Sequence, residues 1–355
     1  MLLISSQKAR TRSSIRSRIS SRISMRRTAL VIIVIFIAIS LSLLLSQRSK
    51  RLPPLISNAT QDQTALYNYW SADIKLKGAT SSYKELVIAL KPIKSRDTQH
   101  DNAHIFGQAL FDTLGTSSVS VCDDSFRYGC IHALIERSIL VNGVPEASRL
   151  STWCDSPENT NVEQCRHGIG HGLTAYFGNT EDGVAKALEL CSKVETARLN
   201  SCEQGVFMEY YNRFWQSERK DTRPISENDP LSFCKQLPSR YAFMCGYASV
   251  QWWLYSLAAH FTANESYAQL GNYCSYARND IAMLQGCFEG IGAQAVQSAQ
   301  FVAAETRNLC ENTQGTAISV QNCFKGAINQ YESTTRPDTV CWAKLLTSDA
   351  AVLCN

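Results

Sequence analysis

The chain has 355 residues, 35 of them Lys or Arg and 31 Asp or Glu, for a formal net charge of +4. The excess lies in the first 51 residues, which carry 11 basic residues (Lys8 to Arg51) and no acid, so residues 52–355 hold 24 basic against 31 acidic residues, a net of −7. A body of that sign lacks the basic face that nucleic-acid recognition needs, which sets DNA and RNA aside as partners.

In chain order, residues 1–28 form a basic tail. "ALVIIVIFIAISLSLLL" follows at 29–45, seventeen residues without a charge. That length just spans a bilayer as a helix. Eight basic residues precede it and three follow closely, and "LLLSQRSKR" offers no small-residue cleavage site. The positive-inside rule then keeps the N-terminus in the cytoplasm. Residues 29–46 are read as a single-pass signal anchor in the cell membrane, with the lipid bilayer as partner. Residues 47–63 ("RLPPLISNATQDQ" at 51–63) are a polar linker, and 64–355 an extracytoplasmic domain.

All fourteen cysteines lie beyond Val121. An even count on that side of a membrane points to disulfides. They fall in seven successive pairs: Cys122/Cys130, Cys154/Cys165, Cys191/Cys202, Cys234/Cys245, Cys274/Cys287, Cys310/Cys323 and Cys341/Cys354. Separations within pairs run from 8 to 13 residues, and the first members recur every 31 to 43. That period belongs to helical repeats. Three residues after the second cysteine stands a small residue in all six complete copies: Ala133, Gly168, Gly205, Ala248, Gly290 and Gly326. The apolar stretches that follow have helical periodicity. Each unit therefore reads as helix, Cys, short connection, Cys, helix, with the last unit cut short as a cap. The expected fold is all-α: an N-terminal transmembrane helix, then a disulfide-stapled αα-hairpin solenoid or a closed toroid. Structural zinc sites use cysteines two to four residues apart; none here is closer than eight within a pair.

Six copies of one unit act as an internal control, since scaffold residues recur and site residues do not. Positions +2 and +6 from the second cysteine share one helical face. They are His132/Glu136, then His167/His171, then Gln204/Met208, Tyr247/Gln251, Glu289/Ala293 and Lys325/Asn329. Upstream, "QHDNAHIFGQAL" adds His100 and His104, and the third copy adds Glu209 at +7. Five of the six histidines thus sit in three neighbouring elements, and His260 stands apart. Imidazoles and carboxylates on adjacent helices are the donor set of helical metal sites for zinc, iron or manganese. The candidate ligands are His104, His132, Glu136, His167, His171 and Glu209. Glu136 and Glu209 are also the candidate general bases of a hydrolytic or oxidative site. A shared site needs the imidazoles within ~10 Å of one another, given metal–nitrogen bonds of about 2 Å. His100 is the weakest member, because "SRDTQHDN" reads as a helix N-terminus with Asp101 in a capping role. In "QCRHGIGHGL", Gly168 and Gly170 recur and are structural; Gly172 marks either a close ligand approach or a helix end.

The alternative is a non-catalytic scaffold that binds an extracytoplasmic protein or glycan through its concave face. The aromatic stretches "EYYNRFW" (209–215) and "QWWLY" (251–255) read as inter-helix packing rather than as such a platform. No phosphate-binding loop, GxSxG, HExxH or CxxCH motif is present.

The series "HDNAHIFGQAL", "YGCIHALIE", "CRHGIGHGL" and "CEQGVFMEYY" resembles a set of prokaryotic membrane-anchored, cysteine-rich proteins. These share an AHxxG, YHGxxE, HGxGH, GVFME order, and the resemblance covers about residues 98–212. It implies interest in His104, His132, Glu136, His167, His171 and Glu209, departs at Ala133 where glycine is expected, and brings no activity with it. In architecture alone the layout is similar to Sel1-like and tetratricopeptide repeats.

Overall fold

The computed structural model describes residues 63–156, 159, 162–194, 201–211, 225–333 and 339–347. The tail, the apolar span at 29–46, the linker to residue 62 and Cys354 lie outside the described residues. No helix among the described residues is long and apolar enough to cross a membrane.

The described residues are helical, with no strand among them. An entry segment holds α1 (Gln63–Lys77), α2 (Ala79–Leu90) and α3 (Arg96–Leu114). The repeats follow as α4 (Gly129–Asn142), α5 (Val144–Cys154), α6 (Val162–Phe177), α7 (Glu181–Val194), α8 (Ser201–Tyr211), α9 (Ser232–Gln236), α10 (Ala242–Ala258), α11 (Ala263–Ser275), α12 (Ile281–Ser298), α13 (Ala303–Glu311), α14 (Ala317–Glu332) and α15 (Thr339–Thr347). Six of the expected pairs, from Cys122–Cys130 to Cys310–Cys323, are disulfides with Cα atoms 5.5 to 5.8 Å apart. Each closes a short connection between two helical segments, which in the chain-entropy model is worth about 3 kcal/mol per loop. The first unit departs from the expected pattern: a 3-10 turn, Thr116–Val121, precedes Cys122 in place of an α-helix.

Two kinds of helix alternate, and sequence explains each. The inner helices α3, α4, α6, α8, α10, α12 and α14 pack each against the next, while α5, α7, α11 and α13 lie behind them. A backing helix needs one apolar stripe. In α7 the buried residues Val184, Ala187, Leu188, Cys191 and Val194 follow that spacing. An inner helix is enclosed by neighbours, and in α6 every residue from Cys165 to Thr174 is buried. Polar caps set several starts: Thr262 and Glu265 form a capping box on α11, and the Asp280 side chain accepts from Met283 N on α12.

The recurrent small residue sets the spacing of the inner layer. A Cβ placed on Gly205 would collide with the His167 carbonyl oxygen, and one on Gly326 with that of Glu289. Each is position +3 of one copy pressed on the backbone at +2 of the copy before. Gly170 and Gly292 face the other way, against the carbonyl oxygens of Cys202 and Cys323. Gly172 is also structural, neither a ligand approach nor a helix end. Its Cβ would stand 3.2 Å from Glu136 Cα and 2.8 Å from a methyl carbon of Ile139, and α6 runs on to Phe177.

The inner row curls until its ends meet. The Arg96 guanidinium of α3 lies 4.7 Å from the centroid of the Phe301 ring, just before α13. One cavity of about 520 Å³ is lined both by Gln63 and Arg96 and by Asn329, Gln330 and Ser333 of α14 and its C-terminus. In "QWWLY" Trp252 and Trp253 are buried, with Trp253 edge-on to Tyr273, so the two tryptophans pack between helices while Tyr255 is exposed.

Candidate metal centre

Eight of the twelve +2 and +6 residues line this cavity: His132, Glu136, His167, His171, Gln204, Met208, Tyr247 and Asn329. His100 and His104, four apart on α3, line it too, whereas His260 is exposed at the end of α10. His100 lies in the second turn of α3. The N-cap is Ser95, whose side chain accepts from Thr98 N at 3.2 Å, so Asp101 is not a cap and instead lines the cavity.

The three glycines of "QCRHGIGHGL" explain how the rings meet. Gly168 and Gly172 let α6 close on α4, and Gly170 lets it close on α8. With α6 drawn in from both sides, His132 stands 4.9 Å from His167 and 6.0 Å from His171, centroid to centroid. On its other side His132 stands 6.0 Å from His100 and 6.3 Å from His104. Within the helical pairs the separations are 4.5 Å for His100–His104 and 4.8 Å for His167–His171. One ligand atom from each of His100, His104 and His132 lies within 4.8 Å of the other two.

Hydrogen bonds assign several ring nitrogens. His100 donates Nδ1–H to the Phe126 carbonyl oxygen at 2.8 Å, which leaves the lone pair on Nε2. Glu209 Oε2 stands 3.2 Å from His171 Nδ1, and His171 Nε2 is 3.0 Å from His167 Nε2. A carboxylate accepts, so His171 Nδ1 donates to it, and the two Nε2 atoms share one hydrogen bond. Glu209 therefore orients His171 from behind, and Asn179 fastens the Glu209 carbonyl oxygen at 3.0 Å. Glu136 is buried on the cavity wall one turn beyond His132. The Nε2 atoms of His104 and His132 are buried without a hydrogen-bond partner. Such an atom costs about 1–3 kcal/mol unless something else satisfies it.

Burial holds His100, His132 and His167 well below the ordinary histidine range, with neighbouring imidazoles adding to the effect. His104 is pushed down to about 3, by burial first and then by His171 and Arg127. Burial therefore favours the neutral form of these four rings, the form that binds a metal.

Two features were not legible in the sequence, the backbone of Phe126–Tyr128 and the place of Glu163. Phe126, Arg127 and Tyr128 all take left-handed φ values (55°, 56° and 61°) inside the Cys122–Cys130 loop, and all three line the cavity. Such values are uncommon for residues with a Cβ and cluster at functional sites. Tyr247, at +2 on α10, is pushed up to about 12 by burial and then by Glu289. Glu163, outside the +2/+6 register, also lines the cavity.

Comparison with protein-family models, curated proteins and solved structures finds no match to this chain.

Proposed function

We propose that the cavity is a divalent transition-metal site, for zinc, iron or manganese, and that the protein is a metal-dependent catalyst of hydrolytic or oxidative type. The observation that carries this is the meeting of His100, His104 and His132, whose ligand atoms lie within 4.8 Å of one another. Two of these rings hold a buried nitrogen that no protein group satisfies. A bound cation would use those lone pairs, and neutral imidazole suits zinc, iron and related ions.

The residues would divide their work. His104, His132, His167 and His171 supply ring nitrogens, joined by His100. Glu136 is placed as a ligand or as the base that takes a proton from a bound water. Glu209 holds His171 in the tautomer that presents Nε2. With the anchor at 29–46, the site would work outside the cytoplasm, tethered to the membrane.

Metal analysis of the purified, oxidised full chain after dialysis against zinc, ferrous iron or manganese tests this. Bound metal is expected in the wild type, with loss in a His104→Ala/His132→Ala variant. No metal in the wild type, or equal content in both, would leave the interaction scaffold as the better account.

A further inference from the structure

With Glu209 committed to His171 Nδ1, five imidazoles and the Glu136 carboxylate still exceed the about four donors that hold zinc. The placement of the rings divides them as well. His100 and His104 come from α3, His167 and His171 from α6, and both helices pack on α4, which carries His132. Packed helix axes stand about 8–10 Å apart. The two histidine pairs thus reach toward His132 from opposite flanks.

Each flank has its own coordination geometry. On one side the ligand atoms of His100, His104 and His132 converge. On the other, His167 Nε2 and His171 Nε2 face each other at 3.0 Å. Two nitrogens bound to one ion at about 2.1 Å stand roughly 3 Å apart at a right angle and about 3.4 Å apart at the tetrahedral angle. Glu209 already supplies the outer partner of His171, and an ion on this flank would take the place of the hydrogen bond between the two Nε2 atoms. The Cα of Glu136 packs against α6 at Gly172, one residue past His171, and Glu136 lines the same cavity.

From this geometry we infer that the row holds two metal ions side by side. One is ligated by His100, His104 and His132, and the other by His167 and His171 with Glu136 completing the set. His132 stands between them. The inference rests on the metal-site proposal above and extends it from one ion to an adjacent pair. Such a pair can clamp two oxygens of a substrate or share a water between the ions.

Metal stoichiometry of the full chain separates the outcomes. With zinc as the probe, two ions per chain are expected in the wild type. One ion is expected in His100→Ala/His104→Ala and one in His167→Ala/His171→Ala. Far-UV circular dichroism and mapping of the six disulfides check that both variants fold; should either fail, the wild-type stoichiometry decides alone. Manganese-loaded wild type should give the electron paramagnetic resonance spectrum of a spin-coupled pair. A single ion, lost from either variant, overturns the pair and leaves the metal site standing. Two ions with uncoupled spectra also overturn the pair, because the second would then lie elsewhere. No ion overturns both proposals.

Discussion

Two stretches of the inner row, a near wall of α4 and α6 and a far wall of α12 and α14, are built from the same repeat positions and treat their polar groups in opposite ways. On the far wall, the +2 residues Glu289 and Lys325 form an ion pair at 2.7 Å, and Gln285 donates to the same carboxylate at 2.7 Å. That wall answers its own charges. On the near wall, the +2 residues His132 and His167 face other imidazoles, and His132 Nε2 has no partner. One scaffold can therefore present a self-satisfied surface or one that waits for a ligand. The difference lies in the side chains at one register position.

If the scaffold is common to both walls, breaking it should cost both alike. Cys154→Ser/Cys165→Ser and Cys310→Ser/Cys323→Ser should each lose about 3 kcal/mol in denaturant unfolding, near wall and far wall equally. A loss confined to one pair would mean that the repeats are not equivalent. Next in size come the close approaches. Gly205→Ala and Gly326→Ala each force a Cβ into a carbonyl oxygen and should cost about 1–3 kcal/mol, as overpacking does. Only Gly205→Ala should also lower metal content, since it displaces the backbone of His167.

Single side chains should then separate the walls. His132→Leu removes a buried nitrogen without a partner, so the metal-free protein should be neutral or more stable by about 1 kcal/mol, while metal binding falls sharply. Lys325→Met on the far wall should do the reverse. It strips the charged partner from buried Glu289, leaving Gln285, and costs about 1 kcal/mol, a figure kept small because Lys325 is itself half exposed, with metal content unchanged. Thermal melts with and without zinc check both. The smallest effect is expected from Arg127→Gln, because the Arg127 charge opposes positive charge at His100 and His104. Zinc affinity should rise roughly two- to five-fold at low salt and less at high salt.

Much of the framework could be read from local spacing, because disulfides, small-residue contacts and inward faces repeat with the unit. Gly205 and Gly326 sit at the expected position, and Tyr247 and Asn329 were already on the face that lines the cavity. What escaped depends on contacts distant in sequence or on unusual backbone. The approach of Arg96 to Phe301 joins parts of the chain that share no motif. The left-handed run Phe126–Tyr128 contains no glycine or asparagine to signal it. His100 looked peripheral because its partner is the carbonyl oxygen of that same run. Gly172, which no other copy shares, read as a ligand approach or a helix end, yet it serves the contact with α4.

The meeting of Arg96 with Phe301 bears on how such a protein can evolve. An open stack lengthens by duplicating a unit, and each new copy extends the surface. A stack whose ends touch has no place for another copy without prying them apart, so its circumference and the span of its interior are fixed together. Descendants of this chain are then confined to trading side chains at +2 and +6, and new specificities must arise by substitution rather than by growth.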